Sequence, residues 1–348
     1  MKPRTLSLIL FITLLFTIGS AQAQMKAHFI NVGQADSILL EFKSAAILID
    51  AGGETTGDDR DRDHLVGYLN TFFQGRPDLN RTIYSIIISH PHLDHTKNLM
   101  AVMQNFTVRN FVDGGNQRGS GFPQLRSARR FARDHHIIYN VIEDAEIGEE
   151  GYQTSLLRAL TTSPSNVDVR FLAGGRDDEC EDANNESLVV RVKYGQKSFI
   201  FTGDSEFEDQ QCFPQIDNLL DWYGDNGLLD VDVYKVGHHG SRNGTNEAFM
   251  RAMTPQVSVI SAGSKDTQEP GPFHAFQFGH PRESAVSIIE GFTSDSRTPV
   301  TVYTMDAVRD VHEDRRMEKA VYCTCWDGDV VVSTNNAGTT LSTQTSGL

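Results

Sequence analysis

Four side chains that can bind metal ions follow directly after a run of isoleucines. Residues 86–95 read Ile-Ile-Ile-Ser-His-Pro-His-Leu-Asp-His. The nearly unbroken apolar pattern of residues 83–89 predicts a strand buried on both faces, and a loop beyond such a strand can turn several side chains toward one point. A solvated, histidine-rich loop is the alternative, but ligand-type residues at this density argue against it. We expect a site for two ions, each with two ligands from this segment: His90 and His92, then Asp94 and His95.

Two later segments also end a predicted strand in ligand-type residues. Residues 199–204 read Phe-Ile-Phe-Thr-Gly-Asp, and residues 234–241 read Tyr-Lys-Val-Gly-His-His-Gly-Ser. Either segment alone is typical of a plain strand end, but three such ends together indicate one constellation, in which Asp204 could bridge two metals. Two divalent ions about 3.5–4 Å apart can polarise a phosphoryl or carbonyl oxygen and generate hydroxide near neutral pH.

These motifs resemble those of the metallo-β-lactamase fold superfamily. The likeness is carried by H-x-H-x-D-H at 90–95, the later Gly-Asp and the His-His-Gly-Ser segment. Residues 31–37, 49–53 and 279–281 are similar to the branch typified by the hydrolase domain of the competence DNA-uptake protein ComEC. The resemblance covers residues 25–305 and implies an α/β (α+β) fold, a four-layer αββα sandwich with the metals at one edge.

The resemblance also implies roles for the motif residues. Metal ligands would come from the three strand ends: His90 and His92 for metal one, Asp94, His95 and His238 for metal two, and Asp204 bridging both. His239 would be the alternative to His238 or a substrate contact. Asp50 would fix a ligand imidazole from behind. His280 would donate to a substrate oxyanion and so act in catalysis with Asp94 and Asp204.

One ligand found in many superfamily members has no counterpart in this chain. They have a further histidine before the bridging acid, where residues 184–186 here read Asn-Asn-Glu. His135 and His136 end a predicted helix and are expected on the surface. The ComEC-like and choline-phosphate-esterase-like branches resemble this chain in lacking that histidine ligand. Metal one is therefore expected to be more open. Zn²⁺ is the first choice and Mn²⁺ the alternative, since imidazole and carboxylate ligands tolerate both.

The chain divides into three parts by composition. Residues 1–23 have Lys2 and Arg4, an apolar run over 6–18 and Ala-Gln-Ala at 21–23, a pattern typical of a signal peptide cleaved after residue 23. The run is shorter than the roughly 20 residues of a spanning helix. We therefore expect a secreted or periplasmic protein with no membrane span after processing. We expect residues 24–333 to form a single domain. Residues 334–348 are rich in Ser, Thr, Asn and Gly, which predicts a flexible tail.

Net charge limits the partners. The formal charge is −15, and removal of residues 1–23, which contain two cations and no acid, makes it −17. Such a protein repels polyanions at long range, and non-specific nucleic-acid binding depends on Lys and Arg. Long nucleic acid is therefore a poor partner, and a small anionic substrate or a cell-envelope phosphoester fits better. Oligomeric state is left open.

Four cysteines in an exported chain allow three disulfide pairings. They are Cys180, Cys212, Cys323 and Cys325. The first two flank a predicted hairpin, which favours a bridge between them. The last two are two positions apart on a predicted strand, so their side chains would share one face.

Three hypotheses for function remain open at this point. The first is a two-metal hydrolase of phosphodiesters or phosphoesters, favoured by the ComEC-like motifs. The second is a carboxylic ester, lactone or β-lactam hydrolase on the same metals, because a fold does not fix its substrate. The third is a non-catalytic secreted binding protein; against it argue the ligand-type residues present at His90, His92, Asp94, His95, Asp204 and His238.

Overall fold

The computed structural model describes residues 25–54, 59–154, 167–175, 182–207, 214–265, 278–306 and 311–347. The expected signal peptide, Cys180 and Cys212 lie outside these ranges. Among the helices in these ranges, none combines the length and apolar character that crossing a bilayer requires.

Sixteen strands are present in the described part of the chain. They are β1 (Met25–Phe29), β2 (Ile38–Phe42), β3 (Ala46–Ile49), β4 (Thr82–Ile87), β5 (Thr107–Asp113), β6 (Ile138–Val141), β7 (Val167–Ala173), β8 (Val189–Tyr194), β9 (Lys197–Phe201), β10 (Val233–Lys235), β11 (Val257–Ile260), β12 (Ser296–Asp306), β13 (Val311–Lys319), β14 (Val321–Cys323), β15 (Val330–Thr334) and β16 (Leu341–Thr345).

The longer helices have apolar residues at helical spacing on one face. They are α1 (Arg60–Gly75), α2 (Leu93–Thr96), α3 (Leu99–Asn105), α4 (Phe122–Asp134), α5 (Gln215–Tyr223), α6 (Glu247–Met253), α7 (Glu283–Phe292) and α8 (Thr324–Asp327). In α1, for example, Leu65, Leu69 and Phe73 recur every four residues and are buried. The side chain of Asn246 caps α6 by accepting a hydrogen bond from the Phe249 N–H at 2.8 Å.

Two sheets form the centre of the protein. One has eight strands in the order β16-β15-β1-β2-β3-β4-β5-β6, and the other has six in the order β14-β11-β10-β9-β8-β7. A buried apolar core containing Phe29, Leu40, Val190 and Phe201 fills the space between them. Helices α1, α3 and α4 cover the outer face of the first sheet, and α5, α6 and α7 cover the second. The predicted αββα sandwich is confirmed.

Both sheets contain a run of parallel strands whose carboxyl ends meet at one edge. In the first sheet β3, β4, β5 and β6 are parallel. In the second, β9, β10, β11 and β14 are parallel. All polar loops that follow a parallel run emerge at the same edge of its sheet. The face-to-face packing of the sheets then brings the two sets of loops together.

The chain end is a strand and not the flexible tail expected from composition. Strand β16 pairs antiparallel with β15, with Leu341 opposite Thr334 and Thr345 opposite Val330. The reason is a period-two pattern hidden in a polar segment. Leu341 and Thr343 are half-buried on one face while their neighbours are exposed, and Leu341 packs against the core between the sheets.

A disulfide joins Cys323 to Cys325 across a Cα–Cα separation of 5.0 Å, at the junction of β14 and α8. It is one of the bridges that the sequence allowed. Pairing of Cys180 with Cys212 stays a prediction, since both lie outside the described residues.

Gly52 gives a test of how closely the strand ends approach. A Cβ there would overlap the Asp94 carbonyl oxygen and crowd the Asp36 carbonyl, two backbone atoms that cannot move alone. We expect Gly52→Ala to lower the free energy of unfolding by about 1–3 kcal/mol. Gly67→Ala is the matched control, because no atom lies within 4 Å of its added Cβ and alanine stabilises a helix by roughly 0.5–1 kcal/mol. Urea unfolding measures both. Equal effects would contradict the close approach.

Candidate metal centre

Four strands deliver the candidate ligands to one point. Asp50 follows β3, the segment His90 to His95 follows β4, Asp204 follows β9, and His238 and His239 follow β10. Two of these strands belong to each sheet. The ligand set is therefore complete only when both sheets are packed together.

The Asp204 carboxylate lies at the centre of the group. Its Oδ2 is 3.2 Å from His95 Nε2 and 3.3 Å from His239 Nε2. The same oxygen is 3.9 Å from His90 Nε2 and 4.0 Å from His238 Nε2. Asp204 is fully buried. One carboxylate thus reaches imidazoles from both sheets, as a bridging ligand would have to do.

The remaining ligand atoms fall into two groups beside Asp204. His90 Nε2 and His92 Nδ1 are 3.1 Å apart. Asp94 Oδ2 lies 3.2 Å from His239 Nε2 and 4.0 Å from His95 Nε2. These are imidazole and carboxylate donors, the set that zinc and similar divalent ions take. His95 Nε2 and Asp204 Oδ1 are buried without a hydrogen-bond partner among the described residues, so divalent ions fit the site.

The two adjacent histidines differ in position, with His239 Nε2 nearer to Asp204 than His238 Nε2. His239 Nδ1 donates to the Ser261 carbonyl at 2.8 Å, which leaves the Nε2 lone pair facing Asp204 and Asp94. His238 Nδ1 instead lies 2.9 Å from Glu206 Oε1, and its Nε2 is the more distant from Asp204. Both residues adopt a left-handed backbone, with φ of 46° and 53°. The directions of the two rings depend on these angles, which a sequence pattern does not give.

Asp50 lies behind His95, away from the ligand atoms. Its Oδ2 accepts a hydrogen bond from His95 Nδ1 at 2.8 Å, and its Oδ1 accepts one from the Ser89 N–H at 2.7 Å. The Ser89 hydroxyl donates to the same carboxylate at 2.7 Å. A histidine held at Nδ1 by an acceptor presents its Nε2 lone pair in a fixed direction.

Lys235 and Asp36 belong to the site but were not among the expected residues. Lys235 is 1% exposed, and its ammonium forms an ion pair with Asp36, donates to the Gly203 carbonyl at 3.1 Å and lies 3.9 Å from Asp204 Oδ1. A lone lysine in the apolar run before the two histidines was the signal available in the sequence.

Asp36 also offers an oxygen near the central group. Ligand atoms of Asp36, His95, Asp204 and His239 lie within 4.8 Å of one another. However, Asp36 Oδ2 approaches His95 on the Nδ1 side, at 3.7 Å, where Asp50 already accepts the proton. We therefore assign Asp36 as the charge partner of Lys235 and not as a metal ligand.

Burial and charge act in opposite directions on the imidazoles. Burial, with His95 and His92 close by, lowers the pKa of His90 well below its usual value. Burial also opposes charge on His239, but Asp204 and Asp94 outweigh it and raise the pKa of His239 to about 10. For His95 the same balance, with Asp204 and Asp50 prevailing over burial, raises the pKa well above its usual value.

A cavity of about 300 Å³ opens onto the ligand group. Its wall includes two apolar side chains, Leu93 and Phe278, beside His280 and Gln34. Asn184 lines it too. The Asn184 amide N–H donates to Glu206 Oε1 at 2.8 Å, and its Oδ1 is buried without a partner among the described residues.

One further prediction concerns surface residues. His135 and His136 are exposed, as expected. The arginines of α4 border a larger surface depression, of about 760 Å³, that shares no residue with the cavity over the ligand group. Of these, Arg129 is neutralised by Asp113, with its Nε 2.9 Å from Asp113 Oδ2.

Comparison with known proteins agrees with the geometry of the strand ends. The model of the metallo-beta-lactamase superfamily matches residues 30–264. The chain belongs to this superfamily. ComE operon protein 3 of Bacillus subtilis is 25% identical over 297 residues, which are 80% of this chain and 32% of that protein. Recombination protein 2 of Haemophilus influenzae is 24% identical over 257 residues, 74% of this chain and 26% of that protein.

These matches confirm the resemblance to the ComEC-like branch. The chain spans about a third or less of the length of each relative. Among solved structures, the metallo-beta-lactamase fold protein YhfI of Bacillus subtilis aligns with a TM-score of 0.44 and 10% identity, over 79% of this chain and 95% of that one.

Removal of the buried ammonium tests the charge balance. Lys235→Met leaves Asp36 without its ammonium partner and Asp204 with one cation fewer in the metal-free protein, so we expect the free energy of unfolding to fall by about 3–5 kcal/mol. Adding Asp36→Asn should restore part of the loss, because one uncompensated carboxylate is removed. Lys193→Met, at an exposed position of β8, is the control. Urea unfolding of chelator-treated protein measures each variant, and a Lys235→Met variant as stable as the control would contradict the assignment.

Metal binding should release protons. Because the pKa of His239 is about 10 without metal, its ring is protonated at pH 7, and a ligand imidazole must be neutral. The apparent affinity for zinc should therefore rise with pH between about 6.5 and 10. Calorimetry in buffers of different ionisation enthalpy counts the protons. His239→Gln should release about one proton fewer per chain, whereas the surface variant His64→Gln should match the wild type. No difference between the two variants would exclude His239 as a ligand.

Proposed function

We propose that this protein is an exported, binuclear metal-dependent hydrolase that acts on phosphodiesters or phosphoesters. The observation that supports this most is the position of Asp204, whose Oδ2 lies within 4.0 Å of imidazole nitrogens on both sides. An arrangement of this kind suits two ions a few ångströms apart. Membership of the metallo-beta-lactamase superfamily is consistent with it.

The residues divide by role around that carboxylate. His90 and His92 would hold the first ion, and Asp94, His95 and His239 the second, with Asp204 between them. Divalent ions bound there would supply Lewis acidity toward a phosphoryl oxygen and lower the pKa of water. Asp50 keeps His95 oriented. Leu93 and Phe278 give the cavity apolar wall on one side, which excludes water from part of the bound substrate.

The phosphoester preference rests on chemistry and likeness together. Paired ions can stabilise both the attacking and the leaving oxygen of an in-line displacement at phosphorus. Two of the similar proteins are named as a recombination protein and a competence protein. The net charge of −15 over the whole chain favours a small anionic substrate or a cell-envelope phosphoester over a long polyanion.

Metal identity follows from the ligand types. Zinc is our first proposal, since the second group offers two imidazoles and two carboxylates. The first group has only two imidazoles besides Asp204, with the Asn184 amide nearby in the cavity wall. An oxygen donor suits manganese better than a further histidine would. Manganese is therefore the alternative for metal one.

Activity against bis-p-nitrophenyl phosphate tests the proposal. We expect turnover by the zinc- or manganese-reconstituted protein and about two metal ions per chain by elemental analysis. Asp204→Asn should lower kcat/KM by at least about a hundredfold and reduce the metal content. Mutation of a residue that only supports a metal ligand already costs roughly 10–100-fold in metal affinity or activity. Asp221→Asn, the same change at an exposed position of α5, should leave both unchanged.

The alternatives give different outcomes in the same preparation. Hydrolysis of nitrocefin or a homoserine lactone, with no turnover of the phosphodiester, would identify a carboxylic ester, lactone or lactam hydrolase. Full metal content without turnover of any of these substrates would support the binding-protein hypothesis. Less than one metal per chain after reconstitution would contradict the binuclear site itself.

A further inference from the structure

Gln34 contacts the catalytic cavity from the turn between β1 and β2. It is 4% exposed and lines the cavity. Its backbone N–H donates to Glu54 Oε2 at 2.8 Å, which holds the turn in place. Its side chain crosses to the second half of the protein, where it meets Gly263 and His280. A buried glutamine with both ends occupied can impose a hydrogen-bond direction on its neighbours.

The direction of the Gln34 amide is set by its two partners. The Gly263 N–H can only donate, and it lies 3.4 Å from Gln34 Oε1. The NH₂ end therefore points the other way, toward His280 Nδ1 at 2.9 Å. An NH₂ group can only donate, so His280 Nδ1 is the acceptor and carries no proton.

A histidine that accepts at Nδ1 bears its proton on Nε2. The His280 ring lines the cavity with Asp94, Asp204 and His238, and it stacks on His239 with centroids 6.5 Å apart. We propose that Gln34 is a positioning residue that holds His280 as the Nε2–H tautomer, so that this ring donates a hydrogen bond to an oxygen of the substrate. The identity of the substrate oxygen rests on the proposed function, whereas the tautomer of His280 rests only on the hydrogen bonds of Gln34.

The tautomer has a consequence for recognition. An Nε2–H is complementary to an anionic phosphoryl oxygen, whereas an Nε2 lone pair would repel one. A donor fixed before the substrate arrives costs no reorganisation and is most effective where negative charge increases during the reaction. The geometry thus assigns to this wall of the cavity the recognition of a negatively charged acceptor oxygen.

Two-bond ¹H–¹⁵N correlation spectra of the ¹⁵N-histidine-labelled protein test the tautomer directly, in the metal-free and the zinc-loaded states. Comparison with His280→Gln identifies the signals of this ring. We expect a protonated Nε2 and an unprotonated Nδ1 in the wild type. In Gln34→Glu the carboxylate should draw the proton to Nδ1, and in Gln34→Met, which has no hydrogen bond to offer, the preference for Nε2–H should weaken. A wild-type ring protonated at Nδ1, or a tautomer unchanged in both variants, would overturn the proposal.

Kinetics provide the second readout. We expect Gln34→Glu and Gln34→Met to lower kcat on bis-p-nitrophenyl phosphate by roughly tenfold to a hundredfold, with little change in metal content. Gln196→Glu, which adds the same charge at an exposed turn, should have no effect. If the wild type shows the Nε2–H tautomer but does not hydrolyse the phosphodiester, the proposed substrate class fails while the role of Gln34 stands. If kcat is unchanged in variants whose tautomer has shifted, the donor role of His280 fails.

Discussion

Lys235 lies in the interior of the protein between two carboxylates, and the structure around the site depends on this charge. Asp36, Asp50 and Asp204 are all buried. Each of these carboxylates lies within a few ångströms of a ring nitrogen of His95. Ionised groups in such surroundings are strongly destabilising unless they are paired. One ammonium can compensate only part of the negative charge. Protonated imidazoles supply the rest in the metal-free protein, as the raised pKa values of His95 and His239 show. Divalent cations would take over that task and free the rings for ligation.

The sandwich makes this concentration of charge possible because the core between the sheets is apolar and buried. Phe29 from one sheet and Phe201 from the other face each other there, with ring centroids 6.2 Å apart. This contact is part of the core that holds together the two sheets whose strand ends carry Asp204 and the histidines after β4. The Gly52 N–H and the Asp36 carbonyl, 2.9 Å apart, then bring the loops of the first sheet together. Without a Cβ at this glycine, the loops can approach to backbone contact.

Much of this site could be predicted from sequence, and the failures have physical causes. Apolar runs that end in His or Asp predicted which strands carry ligands, because the carboxyl ends of parallel strands meet at one edge. The αββα layering followed from the family resemblance. The choice between His238 and His239 could not be made, since it depends on backbone angles and on Ser261, a residue distant in sequence. Lys235 was missed because a lysine in a strand is usually exposed. The strand at Leu341–Thr345 was missed because polar composition concealed its alternation.

The partner at Nδ1 separates the histidines of the site into two kinds. For His95 that partner is the Asp50 carboxylate and for His239 the Ser261 carbonyl, both acceptors, so each ring keeps its proton at Nδ1 and, once it is neutral, presents a lone pair at Nε2. For His280 the partner is the Gln34 NH₂ group, a donor, and the arrangement is inverted. Three rings of the same chemical type therefore lie around one site with different capacities. Two can bind a cation, and the third can donate to an anion. Since these partners come from β3, β11 and the turn after β1, the distinction is built by the fold and not by the motif that holds the ligands.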